Sequence, residues 1–544
     1  MKGKSVFKLV VFGAALLMVM GLNLASASAE KVLYVSGDPN ELGVTTFNPI
    51  KVELSHDAMW LIFDRFVEKD SSGKFYPGLA ESWDISEDGL VWKMKLKKGV
   101  KFHDGSPFNA EVAQWFLKEM GTGPSAYMVA GIDRVEIDDP HAITIYFKHP
   151  EPNMLFNFSQ DFMSVPSMEA YKKYGEDYGI KYIIGSGPYK YESWKPGDSL
   201  TVVKNPEYTW GPGYTKNKGP AKIDKVVYRE IKDESTRFLE LKTGKLDVLF
   251  SVPTMFLQKV DQDPKINVVR LPGVVLFHMV MNTQSEPLND LMVRKGIALA
   301  VDQDSITKNV FAAAGQPAHT YLIASLPSSK VAEEFKIYHN LEAAQEALEK
   351  AGWKAGADGI RVNKDGKRLE LKMWAKNEST YRRVAEVIQA QLAKVGVDAK
   401  ITLLDPSTIR TQLRKGEQQL AVRSYNWENA DILEWFLNSK RLGYPNAAMW
   451  HDNESDYLMQ KAMTRARSMD ERIANFKEYH SYVLGQYVWA PIYLPDQIFA
   501  VNERVILPDP LMENRLVGAT ILDYDLKSFG HIREAEIIHT PLPL

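Results

Sequence analysis

Alternation of apolar and polar positions predicts the regular elements of the chain. Over residues 92–97, tryptophan, methionine and leucine alternate with three lysines, a period of two that is typical of a strand with one buried face. Asn109 precedes an apolar stripe with helical spacing that ends near Gly121, and we expect it to cap a helix. Residues 58–66 are mostly apolar, which predicts a buried helix, and residues 32–35 read as a short buried strand.

The clearest fold signal lies in residues 369–404. A strand with Leu369, Leu371 and Met373 on one face is followed by an amphipathic helix that ends at Gly396, and by a second alternating strand. Two strands joined through a helix form a parallel pair with a right-handed crossover. The pattern therefore predicts an α/β protein.

The first 29 residues have the pattern of a secretory signal peptide. Three lysines come first, an apolar run covers residues 9–22, and small residues fill positions 25–29. The apolar run is shorter than the roughly 20 residues of a membrane span, which disfavours a retained anchor. We expect cleavage after Ala29, with Glu30 as the first mature residue and a periplasmic location.

Composition narrows the class of protein. With 544 residues, of which 45% are hydrophobic and 25% charged, the chain predicts a folded, soluble protein of several domains. It contains no cysteine, which excludes disulfides, thiolate metal sites and the attachment point of a bacterial lipid anchor. Removing the signal peptide takes the formal charge from −3 to −6, because it deletes three lysines and no acid. This mild acidity does not favour nucleic-acid binding.

Searches for catalytic and metal motifs find none. The sequence has no G-x-S-x-G elbow, no H-E-x-x-H pair and no G-x-x-x-x-G-K loop, and none of its eleven histidines lies four residues from another. For His56, His103 and His451, a surface or turn position is favoured over a metal ligand. We therefore expect no enzyme, no cofactor and no metal.

The segment 421–436, AVRSYNWENADILEWF, mixes aromatic and acidic residues in a pattern that fits neither a clean helix nor a clean strand. One interpretation is a binding wall, in which rings provide contact area and a shielded carboxylate holds an ammonium group. The other is the start of a helix with packed aromatic residues and with acids at its first turn. The segment alone leaves both open.

Three segments carry a resemblance to a known family. Residues 77–111 read PGLAESWDISEDGLVWKMKLKKGVKFHDGSPFNAE, and residues 184–206 read IGSGPYKYESWKPGDSLTVVKNP. Residues 282–302 contain Asn-Thr, then a proline, an aspartate and an arginine, and end in Ala-Val-Asp. Together these segments resemble the family 5 bacterial solute-binding proteins, the oligopeptide, dipeptide and nickel receptors of ABC importers. The similarity extends from near residue 32 to beyond residue 501.

The resemblance implies a two-lobed periplasmic binding protein fold with a hinge and an extra small domain, the class II, cluster C type. Carried over by position, the small domain is 57–189, lobe II is 279–486, and lobe I combines 30–56, 190–278 and 487–544. The two hinge crossings are expected near residues 278–282 and 486–493.

The resemblance also implies a ligand site in the segment 421–436. Glu428 matches the acidic position that pairs with a peptide's α-ammonium in relatives, and Asp431 matches the second acidic position, although Ile432 replaces the usual proline. Residues 424–427 are expected to run beside the ligand backbone. The residues concerned are Ser424, Tyr425, Asn426 and Trp427.

A partner for a ligand carboxylate is less well defined. Dipeptide-binding relatives place an arginine after the strand that matches residues 371–375, and here Lys376 is the nearest cation. A lysine lacks the bidentate fork of an arginine, so strict recognition of a free α-carboxylate is not expected. Trp374 is either a pocket wall or core. Tyr127, Trp450 and Tyr493 are further aromatic candidates by position.

The resulting hypothesis is a monomeric periplasmic receptor that traps a peptide or peptide-like amphipathic solute between two lobes. Its partners are that ligand and an inner-membrane ABC permease. A receptor for a metal chelate, an opine or an oligosaccharide is an alternative within the class. A secreted hydrolase and a periplasmic chaperone are alternatives from other classes.

Overall fold

A computed structural model of the chain describes residues 30–36, 44–52, 56–70, 72–271, 273–405, 408–508 and 518–527. The expected signal peptide, residues 1–29, lies outside these ranges. The strands in the first half of the chain are β1 Val32–Ser36, β2 Val67–Lys69, β3 Phe75–Pro77, β4 Ala80–Ile85, β5 Val91–Leu96, β6 Ile132–Asp139, β7 Ala142–Phe147, β8 Tyr189–Lys195, β9 Ser199–Lys204, β10 Lys225–Arg229, β11 Val248–Leu249 and β12 Ile266–Leu271. The later strands are β13 Val275–Met281, β14 Gly315–Pro317, β15 Lys354–Ala355, β16 Arg361–Val362, β17 Glu370–Lys376, β18 Asp398–Leu404, β19 Leu420–Asn426, β20 Trp489–Pro495, β21 Gln497–Asn502, β22 Val505–Ile506 and β23 Asp525–Leu526.

The α-helices lie mainly between these strands. They are α1 Met59–Ile62, α2 Ala110–Met120, α3 Met154–Phe158, α4 Met168–Tyr174, α5 Glu234–Lys242, α6 Leu257–Asp261, α7 Leu291–Ala300, α8 Gln303–Asn309, α9 Leu341–Lys350, α10 Ser379–Lys394, α11 Ile409–Arg414, α12 Ile432–Leu437, α13 Asn453–Gln460 and α14 Met469–Gly485. Among the described residues, none of the helices combines the length and the apolar character that crossing a membrane requires.

Two large sheets and one small sheet organise the described residues. The first large sheet has the strand order β12-β21-β11-β1-β10-β9-β8, and the second has the order β14-β20-β13-β19-β17-β18. The small sheet, β4-β5-β7-β6, is antiparallel throughout. Each sheet has its own apolar core, so the molecule consists of several packed units.

Local patterning correctly predicted strand β5 of the small sheet and helix α2. In β5, Trp92, Met94 and Leu96 are buried and the lysines between them are exposed. Asn109 caps α2, since its side chain accepts a hydrogen bond from the backbone N–H of Val112.

The predicted β-α-β unit is also confirmed. Strands β17 and β18 are parallel and flank α10, and β19 adds to β17 as a further parallel strand. Neighbouring parallel strands end at the same edge of a sheet, and ligands of open α/β sheets bind beyond that edge. The residues that follow β19 therefore lie at a favourable place for a site.

The chain passes between the two large sheets at two adjacent points. One passage joins β12 to β13 between Leu271 and Val275, and the other joins β20 to β21 between Pro495 and Gln497. Because β12 pairs with β21 and β13 pairs with β20, the two passages run side by side between paired strands, and we call them together the two-stranded ribbon. A Cβ on Gly273 would lie 1.5 Å from the carbonyl oxygen of Pro495, so only glycine fits there.

These passages lie two or three residues outside the expected hinge crossings. Residues 278–281 belong to β13, and residues 489–493 belong to β20, both in the second large sheet. Ladder pairing continues through both segments, and His278 is still a cross-strand partner of Pro491. The chain leaves the sheet only where this pairing stops.

The predicted helix at residues 58–66 is shorter than expected. Helix α1 ends at Ile62, and Phe63 is already extended. The carboxylate of Asp64 accepts hydrogen bonds from side chains far along the chain, and these tertiary bonds favour the extended backbone over another helical turn. The donors are Ser186 Oγ at 2.9 Å, Tyr208 Oη at 3.1 Å and Trp210 Nε1 at 2.8 Å.

Candidate functional site

The segment 421–436 is a strand, a loop and a helix in succession. It begins in β19, continues as the loop 427–431, and ends in α12. Asp431 precedes the helix, yet its side chain does not cap it. Its Oδ1 instead accepts a hydrogen bond of 2.6 Å from the indole N–H of Trp427. This hydrogen bond connects the two ends of the loop, and Glu428 lies on the turn between them.

An ion pair joins this loop to a distant part of the chain. Lys69, in β2, donates to Glu428 Oε2 over 2.5 Å, and the two residues are 359 positions apart in sequence. The side chains are only 15% and 22% exposed, so the pair is largely shielded from water. The Lys69 nitrogen also lies 5.1 Å from the ring centre of Phe156, which packs edge-on against Trp427 at 5.8 Å.

A second set of polar contacts crosses the same boundary. Asn153, which is buried, accepts a 2.6 Å hydrogen bond from Asn429 and donates one of 3.3 Å to Asp431. Arg472, on α14, donates to the side-chain oxygen of Asn429 over 3.4 Å. The loop 427–431 is thus held between residues 69–156 on one side and helix α14 on the other.

Charges in this network depend on one another. Burial raises the pKa of Asp431, and the nearby charge of Arg472 counteracts that rise. Burial also raises the pKa of Glu151, with His149 and Arg472 opposing it. Burial lowers the pKa of Arg472 itself, while the two carboxylates raise it. One buried guanidinium therefore stabilises two half-buried carboxylates.

A second group of candidate residues lies around the start of α10. Ser424 and Tyr381 share a hydrogen bond of 2.5 Å between their hydroxyl oxygens, and Lys376 Nζ lies 4.7 Å from the ring centre of Tyr381. Phe277 packs against the Tyr381 ring at 5.2 Å. From there a row of rings leads through Phe311 to Tyr493, whose hydroxyl donates to the carbonyl of Ala314.

Several candidate aromatic residues lie in the apolar interior. Tyr425 is 5% exposed, and its hydroxyl donates to the Tyr321 carbonyl over 2.6 Å. Trp450 is 6% exposed and donates to Ser455 Oγ over 2.9 Å. Trp374 is 8% exposed and belongs to the core of the second large sheet. Their contacts are those of packing residues.

The remaining two candidates lie at the surface. Asn426 ends β19 and is exposed. Tyr127 is 47% exposed, and its ring centre lies 6.0 Å from that of Trp435 on α12. Trp427, Glu428, Asp431 and Tyr127 are therefore the predicted residues that the fold brings to one boundary.

Sequence reasoning missed a cluster of arginines around Tyr444. The guanidinium carbons of Arg423, Arg414 and Arg410 lie 5.2, 5.6 and 5.9 Å from the centre of the Tyr444 ring. Burial lowers the pKa of Arg423, and Tyr444 raises it. The ion pairs found among the described residues include none of these three side chains. The sequence did contain one signal of this cluster, namely that Arg423 interrupts the largely apolar strand sequence LAVRSY.

The boundary partners of the loop, namely Lys69, Asn153 and Phe156, were also missed. No local pattern distinguishes them, because they become partners only through contacts hundreds of residues apart in sequence. The described residues also contain no group of three or more histidine, aspartate or glutamate side chains placed to hold a metal. His56 begins a turn, since its carbonyl accepts a hydrogen bond of 2.8 Å from the backbone N–H of Met59, but it is not at the surface: its ring is buried, and burial lowers its pKa to about 3.

Two lobes built on separate sheets, a paired passage between them and a polar boundary beyond the strand ends define a solute-binding protein of the two-lobed type. The model of the bacterial extracellular solute-binding proteins, family 5 Middle, matches residues 74–441. The chain belongs to this family, as its sequence motifs indicated.

Known relatives extend over nearly the whole chain. The glutathione-binding protein GsiB of Escherichia coli K12 is 25% identical over 518 residues, which cover 91% of this chain and 96% of GsiB. NikA from Brucella suis, solved in complex with Fe(III)-EDTA, is 23% identical with a TM-score of 0.79 and covers 92% of this chain and 100% of its own. AppA from Bacillus subtilis, an oligopeptide-binding protein solved with a nonapeptide, is 20% identical with a TM-score of 0.73, at 92% and 100% coverage. The two structures show that the fold is shared.

Proposed function

We propose that the protein is the periplasmic receptor of an ABC importer and that it captures a peptide or a peptide-like amphipathic solute between its lobes. The family is extracellular and binds solutes. A relative named for glutathione and an oligopeptide-binding protein solved with a nonapeptide support a peptide-like ligand. An inner-membrane permease is the proposed partner, and the receptor acts as a monomer. Residues 1–29 are proposed to direct export and to be removed. The absence of cysteine from the sequence supports a receptor without a lipid anchor.

The observation that carries this proposal is the boundary at the loop 427–431. Trp427, Glu428 and Asp431 belong to the lobe of the second large sheet, and they meet Lys69, Asn153 and Phe156 from the proposed small domain 57–189. These contacts exist only when the two parts are close together. A ligand that adds contacts on both sides stabilises this closed arrangement by its differential affinity for it.

The proposed ligand wall combines two kinds of group. Glu428 is the carboxylate that meets a cation at the boundary. Trp427 provides apolar area next to it in the loop, and Tyr127 provides more against Trp435. At the start of α10, Ser424, Lys376 and Tyr381 offer polar contacts to a ligand backbone. This arrangement suits an amphipathic solute better than a purely apolar one.

The arginine cluster favours a solute that also carries negative charge. Three guanidinium groups around Tyr444, without a carboxylate partner in the part of the chain that the structure describes, create a region of positive potential. A free carboxylate of a peptide fits this region, and so does a polycarboxylate metal chelate. The chelate is our second candidate ligand.

Native mass spectrometry of the protein purified from periplasm tests the proposal. We expect a discrete extra mass that disappears after unfolding and refolding, and its value distinguishes a peptide from a chelate. If no extra mass is found, and neither peptides nor chelates raise the unfolding temperature of the refolded protein, the proposal is wrong. A ligand at a hundred times its Kd stabilises the folded state by about 2.7 kcal/mol, which such a screen detects.

A further inference from the structure

An ammonium group of the chain itself occupies the place where a ligand amine would meet Glu428. The Lys69 nitrogen donates to Glu428 over 2.5 Å and lies 5.1 Å from the centre of the Phe156 ring. A carboxylate beside aromatic rings is the chemistry that binds primary amines. We call Glu428, Phe156 and Trp427 the amine niche, and Lys69 is its resident amine.

The backbone that carries Lys69 is held firmly on both sides. Strand β2 pairs with β3 as far as Lys69, and Glu68 forms a fully buried ion pair of 2.7 Å with Arg65. Asp70 accepts hydrogen bonds from three residues of the following turn and strand, which fixes the end of β2. Only the flexible four-carbon side chain of Lys69 is free to leave the amine niche.

We infer that Lys69 is a specificity-determining residue, which a solute amine has to displace before it can pair with Glu428. The inference rests on the function proposed above and deepens it. Displacement leaves the Lys69 ammonium without its carboxylate in a site where the side chain is 15% exposed. An unpaired charge in such a site is unfavourable.

The preferred solutes are therefore those whose end at the amine niche carries no free amine. N-blocked peptides and amine-free amphipathic acids belong to this class. For them, the Lys69–Glu428 pair stays intact and continues to hold the proposed small domain against the lobe of the second large sheet. For a peptide with a free terminal amine, the same pair has to break.

Calorimetric titration with trialanine and N-acetyl-trialanine tests the inference on the full-length mature protein. In the variant Lys69→Met, which keeps an apolar stem without the charge, we expect the affinity for trialanine relative to the acetylated peptide to rise about 10- to 100-fold over wild type. Lys69→Arg retains a cation and is expected to keep the wild-type preference. An unchanged ratio in Lys69→Met overturns the inference.

A matched control removes a neighbouring lysine instead. Lys74 directly precedes strand β3 of the same hairpin and is exposed. Its nitrogen lies 4.9 Å from the centre of the Tyr76 ring and outside the amine niche. Lys74→Met changes the net charge by the same amount as Lys69→Met. It is expected to leave the ratio of the two affinities unchanged, and an equal rise in this variant overturns the inference.

A measurement without ligand separates the two proposals. Acetylation by acetic anhydride, followed by peptide mass spectrometry, reports how accessible the Lys69 nitrogen is, with Lys74 as internal reference. We expect Lys69 to react at least about tenfold faster in Glu428→Gln than in wild type, because its ion pair is lost. If neither peptide binds any variant, the peptide assignment fails, and the labelling decides: faster reaction supports the resident amine, and equal rates overturn it.

Discussion

Arg423 and His278 are direct cross-strand partners on β19 and β13, and their side chains lie on the same face of the second large sheet. The His278 ring is completely buried, 4.2 Å from the ring centre of Trp489. Burial, together with the charge of Arg423, lowers the pKa of His278 to about 3. A neutral imidazole thus lies beside a permanent cation.

This pair predicts how stability depends on pH. Because the pKa of His278 is lower in the folded than in the unfolded chain, the unfolded state binds the proton first as the pH falls below about 6.5. Stability is lost between that pH and about 3. In His278→Gln this contribution is absent, so the stability gap between wild type and variant is expected to shrink by about 2 kcal/mol from pH 7 to pH 5.

Thermal unfolding at several pH values measures this gap. His451→Gln, which removes an imidazole at an exposed position, serves as the control. A constant difference between wild type and His278→Gln across this range would contradict the prediction.

Arg423 starts on the same strand face as Tyr425, but its guanidinium extends to the ring of Tyr444, and there it is expected to recognise a ligand carboxylate. Arg423→Gln is predicted to weaken binding of a peptide with a free carboxylate by about tenfold and to leave binding of the peptide amide unchanged, since a charge-assisted hydrogen bond is lost in one case only. Isothermal titration with trialanine and its amide measures both affinities. Arg368→Gln, which removes an exposed arginine paired with Asp358, is the control. Equal losses for acid and amide would exclude this role.

Asn153 is predicted to stabilise the closed arrangement. Asn153→Ala removes its hydrogen bonds with Asn429 and Asp431, and we expect ligand affinity to fall about fivefold, the equivalent of about 1 kcal/mol. Small-angle X-ray scattering is expected to show a larger radius of gyration for the unliganded variant. Asn340→Ala removes the cap of α9 and is expected to lower stability without changing affinity. The same radius and affinity as wild type would remove Asn153 from the closing contacts.

The buried pair of Arg65 and Glu68 is predicted to be essential for the hairpin β2–β3. Both side chains are at most 2% exposed, and the Arg65 guanidinium lies 3.8 Å from the Trp60 ring centre. Glu68→Gln leaves a buried positive charge without its counterion, at an expected cost of about 3 kcal/mol or more.

Differential scanning calorimetry checks this cost against an exposed pair. Glu346→Gln breaks the surface pair with Lys350 and is expected to change stability by less than about 1 kcal/mol. Similar effects of the two variants would show that burial does not determine the cost of losing the partner.

The sequence predicted those helices and strands that are determined by residues close together in the chain. The alternation in β5, the Asn109 cap and the β-α-β unit all follow from periodicity and capping, and the structure confirms them. The helix predicted at 58–66 ended early because hydrogen bonds to Asp64 come from residues more than a hundred positions away.

Similarity to relatives assigned consecutive residues of β19 to the ligand wall without regard to the alternation of side chains along a strand. Within β19, Ser424 and Tyr425 point to opposite faces, so residues 424–427 cannot all run beside one ligand. Tyr425 shares its face with Arg423 and is buried, whereas Ser424 faces Tyr381. Lys69 could not be predicted at all, because only the folded chain brings it to Glu428.

The two-stranded ribbon between the large sheets sets the geometry of any movement. With both passages adjacent and hydrogen-bonded on either side of the boundary, the lobes share a single axis, and independent sliding or twisting would break the ladders at one end of the ribbon. The size of the bound solute then determines a single quantity, the angle between the two lobes. A solute too bulky for the cleft would prevent complete closure and keep Lys69 apart from Glu428. Formation of this ion pair would therefore report whether the receptor has closed completely.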